Sequence, residues 1–394
     1  MNSKWFEEES KYYMPTFKRL PVTFVRGKGN LLWDDNGKEY LDFVSGWAVN
    51  SLGHCHPVVA DAVCEQVATL IHTSNSYYTI PQLKLAKLLA ENSFADEVFF
   101  CNSGAEATEG AVKLARRYGH RHLNGAYEVI TALGSFHGRT LAMIAASGQK
   151  RHQDPYTPVP AGFVNVEFNS IDALKSATTD KTCAVMLEPV QGEGGVNIAN
   201  RKYMQEVRKW CDEKGILLIL DEVQTGIGRT GKLFAYMHYD IEPDIIALAK
   251  GMGSGMPIGA IAAKKSASAF QAGEHGSTFG GNPVTCAASA ATVSYIIENK
   301  LPAHAWEMGN YFSQGLDTLQ KRCNVISEHH GLGLLRALYL NIDIADQVVL
   351  KCLEHGLLVN RLKPNAIRFM PSLIVTQEEI NKCLDLLEIS LKGF

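Results

Sequence analysis

ILLILDEVQTGIGRTGKLFAYMHYDIEPDIIALAK (216–250) contains two aliphatic runs, each closed by a residue that an apolar interior does not readily hold, Asp221 after the first and Lys250 after the second. Both runs are near-continuously apolar, the pattern of strands covered on both faces. Outward from this stretch the theme repeats in EVFFC (97–101), YEVITAL (127–133), CAVMLEP (183–189) and IGAIAAK (258–264). Each run leads into polar, glycine-rich residues, often followed by a helical pattern. The repetition predicts an α/β fold with a large, mostly parallel sheet. In such sheets ligands sit beyond the carboxyl ends of the strands, so the residues just after each run are where chemistry is expected.

At about 150 residues per domain, a chain of 394 residues implies two or three packed lobes. Before the α/β region, Asn36-Gly37 between two apolar runs predicts a hairpin, and 57–71 reads as an amphipathic helix opening at Pro57. After it, residues 285–394 alternate long helical patterns with short strands such as LLRALYLNI and AIRFMPSLIV, a smaller α+β lobe. The division read is an N-terminal segment 1–56, a large α/β domain 57–284 and a small domain 285–394. Lys plus Arg is 38 and Asp plus Glu is 41, so the net charge of −3 provides no field for nucleic acid or an anionic membrane. No run approaches the roughly 20 apolar residues of a spanning helix. The acidic start MNSKWFEEES is no secretory signal, which makes the cytoplasm the expected compartment. The nine Cys contain no Cys-x-x-Cys pair and read as small buried hydrophobes, with no structural metal.

The strand ends carry the chemistry. In CNSGAEATEGAVKLARRYG (101–119) a strand turns at Asn102-Ser103-Gly104 into a helix. Amides at the helix start, the Ser103 hydroxyl and a glycine permitting close approach suit a phosphate, although Ser103 also fits an ordinary N-cap. LGSFHGRT (133–140) sets Phe136 three residues from Arg139, whose guanidinium can grip a carboxylate bidentately. EPVQGEGGV (188–196) ends a strand at Glu188 and places Glu193 among glycines. Asp221, at a buried strand end, needs a cation or a donor nitrogen. Lys250, desolvated at another, is held toward the neutral, nucleophilic amine that forms Schiff bases. A phosphate site, an aromatic, a carboxylate for a ring nitrogen and such a lysine on one sheet edge are the set that pyridoxal phosphate needs.

Two segments compete with this reading. Gly226 to Lys232 has the glycine and lysine spacing of a P-loop after a strand, but Leu233 stands where a P-loop has a Ser or Thr for magnesium, and no clear helix start follows. His54, Cys55 and His56 have metal-ligating side chains, but no fourth ligand is evident.

SLGHCHP (51–57), CNSGAEATEGAVKLAR (101–116), SFHGRT (135–140), EPVQGEGG (188–195), LDEVQTGIGRTG (220–231), ALAKGMGSGMPIGA (247–260), GSTFGGNP (276–283) and IRFMPSL (367–373) together resemble, almost end to end, the fold-type I pyridoxal-phosphate enzymes of class III. This is the group of ornithine, acetylornithine and 4-aminobutyrate aminotransferases. The resemblance implies a large, mostly parallel sheet domain and a smaller α+β domain built from the C-terminal part and the N-terminal segment. It implies pyridoxal 5'-phosphate bound to Lys250, which then shuttles a proton, and Asp221 keeping the ring nitrogen protonated. Phe136 and Val223 would face the two sides of the ring, and Gln224 would reach its phenolic oxygen. Ser103, Gly104 and Ala105 would hold the phosphate, joined by Thr278 of a second subunit, so that the active site of a homodimer lies at the interface.

For substrates, the resemblance implies that Arg139 binds the carboxylate far from the reacting amine and Arg368 the one beside the reacting carbon of glutamate or 2-oxoglutarate. Glu193 would neutralise Arg368 for donors lacking that carboxylate. SGWAVNSLGHCHP (45–57) and HTSNSYY (72–78) look most like the acetylornithine branch. The implied reaction is transfer of the δ-amino group of N2-acetyl-L-ornithine to 2-oxoglutarate, in arginine biosynthesis. The alternative donors are succinylornithine, succinyl-diaminopimelate, ornithine and 4-aminobutyrate. Trp47 stands where the family pattern has a small or aliphatic residue, and Ala105 where many relatives have Thr. Tyr77 and Tyr78 are both candidates for the pocket wall.

Overall fold

The structure, a computed structural model, describes residues 4–394. Met1–Ser3, the first residues of the acidic start, lie outside the described residues. All six apolar runs are strands of one seven-stranded sheet. Its order is Glu97–Cys101, Gly259–Ala263, Ile245–Leu248, Leu217–Asp221, Thr182–Leu187, Glu128–Ala132 and Phe163–Val166. The last of these has no counterpart in the sequence reading. Gly259–Ala263 runs antiparallel to both neighbours, whereas the pairings among the remaining five inner and outer strands beyond it are parallel. That reversal corrects one expectation. The carboxyl end of IGAIAAK lies at the opposite edge, and the residues that reach the ligand edge are those before the strand. The central strand residues are buried on both faces, as their uninterrupted apolar runs require.

The expected helix from Pro57 runs Pro57–Thr69, and Gly104–His122 and Arg201–Lys214 cover the sheet. The Asn36-Gly37 hairpin joins Leu31–Asp34 to Glu39–Asp42, with Gly37 at φ 82 where a β-carbon would be strained. This N-terminal sheet is completed by Leu357–Leu358, which pairs parallel with Glu39–Asp42. The N-terminal segment is therefore woven into the C-terminal part. The latter has its own antiparallel sheet, in the order Ile326–Leu332, Leu335–Leu340, Ala366–Phe369, Asn360–Lys363. The last helix, Gln377–Leu391, opens on a capping box of Thr376 and Glu379.

Phe312 ties the parts together. On the helix Leu301–Arg322, it meets Phe43 edge-on at 5.7 Å and Phe369 at 5.1 Å between ring centres. Truncating such a buried ring costs about 3–5 kcal/mol. Phe369 is the neighbour of Arg368, so this core contact reaches the strand that brings a cation to the site.

Candidate active site

Five strand ends converge on one cavity of about 370 Å³, lined among others by Ser103, Phe136, Glu188, Asp221 and Lys250. The segment Gly255–Ile258, leading into the antiparallel strand, closes one side. Of the residues picked from sequence, Ser103, Gly104, Ala105, Phe136, Arg139, Glu193, Asp221, Val223, Gln224 and Lys250 all line this space. Arg368, on the strand Ala366–Phe369, reaches it through its pair with Glu193.

At one end lies the start of Gly104–His122. Ser103 Oγ accepts a hydrogen bond from Glu106 N, so the N-cap reading is met, and the first-turn amides of Gly104 and Ala105 have no intrahelical acceptor. A β-carbon on Gly104 would lie 2.7 Å from Val223 Cγ1, so glycine is required for the helix start to sit against this wall. On the floor Asp221 is 4% exposed. Its Oδ1 accepts from Val223 N at 3.0 Å, and its Oδ2 lies 2.8 Å from His137 Nδ1. His137 was visible in SFHGRT but was not singled out. Its ring is buried, and in this arrangement it holds the carboxylate in a fixed orientation at the cavity floor.

Glu188 accepts from Phe136 N at 3.0 Å. Desolvation, reinforced by nearby Asp221, pushes its carboxyl well above the usual range. Lys250 follows its strand at φ 41, a left-handed conformation that costs a side-chain-bearing residue about 1 kcal/mol or more. Desolvation lowers its ammonium below the ordinary lysine range, against the pull of Glu193, Asp221 and Glu188 and with the help of Arg368. The amine is thereby shifted toward its nucleophilic form.

Arg368 is 1% exposed. Its Nη1 lies 2.7 Å from Glu193 Oε1 and donates to Gly192 O at 2.7 Å, while Nη2 and Nε donate to Asn360 Oδ1 at 2.7 and 3.1 Å. Burial alone would raise the Glu193 carboxyl, but Arg368 and Lys250 outweigh it and hold it below its usual range. Asn360, opposite Arg368 in the strand pairing, was missed because nothing local in NRLK marks it. Arg139, by contrast, is exposed at the mouth and makes no ion pair among the described residues; its guanidinium carbon lies 5.3 Å from the centre of the Phe136 ring. One cation is thus buried and neutralised, and the other is open.

Thr278 does not line this cavity. It sits on a separate recess of about 440 Å³ with Ser277 and Phe279, adjoining the first only through Asn102. Tyr77, Tyr78 and Trp47 also lie outside the cavity lining and are exposed. His54 pairs with Asp42 at 2.7 Å, and His56 packs edge-on against Tyr295. The P-loop-like residues 226–232 form successive turns with no α-helix after them, so they present no helix start to a nucleotide phosphate.

The cavity fits an anionic aromatic aldehyde. It offers unpaired amides at a helix start, Phe136 and Val223 in its lining, a buried carboxylate and a desolvated amine. Gln224 Nε2 is buried without a partner, a donor waiting for an oxygen. Fold and site together define a fold-type I enzyme, and its cofactor is pyridoxal 5'-phosphate. The sequence model "Aminotransferase class-III" matches residues 12–391, and the chain belongs to that family. Acetylornithine aminotransferase of Caldanaerobacter subterraneus subsp. tengcongensis is 50% identical over 381 residues, 96% of this chain and 97% of that one. Its counterpart in Methanocaldococcus jannaschii is 50% identical over 98% of this chain and 97% of that one. Among solved structures, ornithine aminotransferase from Toxoplasma gondii ME49 superposes with a TM-score of 0.95 at 33% identity, covering 99% of this chain and 95% of that one. Acetylornithine aminotransferase from Elizabethkingia anophelis superposes with 0.89 at 34%, covering the whole of both chains.

Proposed function

We propose that this chain transfers the δ-amino group of N2-acetyl-L-ornithine to 2-oxoglutarate, giving N-acetyl-L-glutamate 5-semialdehyde and L-glutamate, a cytoplasmic step of arginine biosynthesis. Relatives named for this activity match it at up to 50% identity over nearly their whole length. The observation that carries the reading is the Glu193–Arg368 pair beside Lys250. A donor whose reacting carbon bears no carboxylate needs that guanidinium neutralised, because an unpaired buried cation is costly. An acceptor that brings its own carboxylate can displace Glu193. Arg139, open at the mouth, would take the carboxylate at the far end in both half-reactions.

The bound cofactor supplies an electron sink that stabilises negative charge at the carbon losing a proton. Lys250 would bond it through its amine and, once released, move the proton at that carbon. Asp221, held by His137, would keep the ring nitrogen protonated. Ser103, Gly104 and Ala105 would hold its phosphate, Phe136 and Val223 its ring faces, and Gln224 its phenolic oxygen.

This reading includes a homodimer in which Thr278 completes the partner's phosphate site, and the division of the chain at 1–56, 57–284 and 285–394. Asn75 Nδ2 donates to Ser277 O and Gly280 O, tying the loop of Thr278 to the segment of Tyr77 and Tyr78. Tyr78 is 93% and Phe279 62% exposed, an apolar patch of the kind that a protein interface covers. The helix Lys4–Tyr12 buries none of its residues on its own subunit, which supports the same view.

The visible spectrum of the purified holoenzyme tests the reaction. The cofactor band should bleach on adding N-acetylornithine and return with 2-oxoglutarate. Bleaching with ornithine or 4-aminobutyrate but not with the acetylated donor would change the substrate.

A further inference from the structure

Residues 226–231, GIGRTG, are not used by the site as described, yet they contain an unusual group. Arg229 is 2% exposed and forms no ion pair among the described residues. Burial pulls its guanidinium down to about 9, so it remains a cation at neutral pH. A buried charge without a counter-ion is expensive, and here Nη2 is buried without a partner, so the bonds of Nη1 are what hold the group. Its Nη1 donates to Leu334 O at 3.2 Å and, more closely, to Pro371 O. In return Leu334 N donates to Arg229 O at 3.0 Å.

Both partners belong to the unit that presents Arg368. Leu334 immediately precedes Leu335–Leu340, which pairs with Ala366–Phe369 so that Ala337 lies opposite Arg368. Pro371 is the third residue beyond Arg368. The contact is close-fitting on both sides. Gly333 sits at φ 56, and a β-carbon there would lie 2.7 Å from Arg229 O; a β-carbon on Gly231 would lie 2.7 Å from the Trp306 ring. On the other side of the joint, the loop leads back within a few residues to Gln224, whose Oε1 lies 3.4 Å from Arg368 Nη1, and to Asp221.

We propose that Arg229 is a positioning residue for the acceptor half-reaction: it clasps the strand pair bearing Arg368 to the loop bearing Asp221 and Gln224, setting where the acceptor's carboxylate lies relative to the reacting carbon. This rests on the reading that Arg368 binds that carboxylate. A general loosening of the fold would affect both half-reactions, whereas a displaced Arg368 chiefly affects the substrate that binds it.

The test uses holoenzyme with Arg229→Met and Arg229→Lys, following the visible band in each half-reaction separately. For Arg229→Met the half-saturating 2-oxoglutarate concentration should rise about tenfold or more, since displacements of about 1 Å are costly in preorganised sites. The N-acetylornithine half-reaction should stay within about threefold of the parent, since its carboxylate goes to Arg139 and it needs Arg368 only kept paired with Glu193. Arg229→Lys keeps the charge and can still donate to both carbonyls, so it should recover most of the acceptor binding, and it decides the matter if the Met variant does not fold. Equal losses in both half-reactions, or acceptor binding within about twofold of the parent in a folded Met variant, overturn the proposal. So does a Lys variant that is as impaired for acetylornithine as for 2-oxoglutarate. A parent enzyme that fails to exchange with 2-oxoglutarate would instead overturn the functional reading itself.

Discussion

Replacing Glu193 with Gln removes one charge from a pair whose atoms lie 2.7 Å apart while keeping the side chain's shape. At that distance and an effective dielectric near 20, the attraction between unit charges is about 6 kcal/mol before desolvation. Net values for charged hydrogen bonds fall to about 1.5–3 kcal/mol. Because Gln still offers an oxygen to Arg368, the lower end applies, about tenfold in a rate or binding constant. The loss should fall on one side of the reaction only. N-acetylornithine must enter while Arg368 is left with Gly192 O, Gln224 and Asn360 alone, none of which carries a charge. Glutamate brings a carboxylate that takes the place of Glu193 and should be unaffected or slightly favoured. Single-turnover bleaching of the cofactor band, measured over a range of each donor, gives the two second-order rate constants, and their ratio should move about tenfold toward glutamate. A ratio that stays put, through equal losses or no loss at all, would refute the assignment of Glu193 as the neutralising group.

Four further outcomes are expected. Lys250→Ala should bind the cofactor without the absorption of its covalent form and lose turnover; a variant that retains both would remove Lys250 from its role. Asp221→Asn should lower kcat about a thousandfold, since a unit charge near 4 Å in the protein interior is worth about 4 kcal/mol, and a loss under about tenfold would count against it. Glu222, buried and accepting from Thr225 Oγ1, Ala235 N and Tyr236 N, has its carboxyl raised by desolvation to about 7. Its folded-state value is above its unfolded one, so its contribution to stability is fully present below about pH 4.5 and is lost as pH rises toward 7. Denaturation at pH 5.5 and 7.5 should therefore show the parent losing about 2 kcal/mol relative to Glu222→Gln, and a pH-independent difference would place Glu222 elsewhere. Thr278→Ala should retain the cofactor less well, and hybrids with Lys250→Ala should recover it at one site; wild-type retention in the Thr278→Ala homodimer would argue against a shared site.

Much of the site was legible because strand ends are local. A buried apolar run that stops at Asp221 or Lys250 announces a polar group at the sheet edge, and a Ser-Gly turn into a helix announces unpaired amides, whatever the rest of the chain does. The antiparallel course of Gly259–Ala263 was not legible, since direction within a sheet leaves no mark on a fully apolar strand. His137 was hidden for another reason. Its importance comes from Asp221, 84 residues away, and no spacing rule links them. GIGRTG has the glycine spacing of a phosphate loop that Leu233 breaks, but nothing local shows that its Gly231 packs on Trp306 or that the Arg229 and Thr230 backbone meets Gly333.

By itself the sequence determined the covered sheet, the helix start beside Ser103 and, through its likeness to a family, the cofactor and the class of reaction. These follow from periodicity and from short motifs whose parts touch one another. Only the tertiary structure decided that Glu193 and Asn360 both pair with Arg368, that Arg139 stays open, that Thr278 lies outside the cavity, and that Arg229 bonds Leu334 O and Pro371 O. Each of these depends on which distant segments meet, and on how much water their meeting excludes. The energy of a charge is set by that exclusion, so the same arginine is open to water at 139, buried and paired with a carboxylate at 368, and buried among backbone carbonyls at 229.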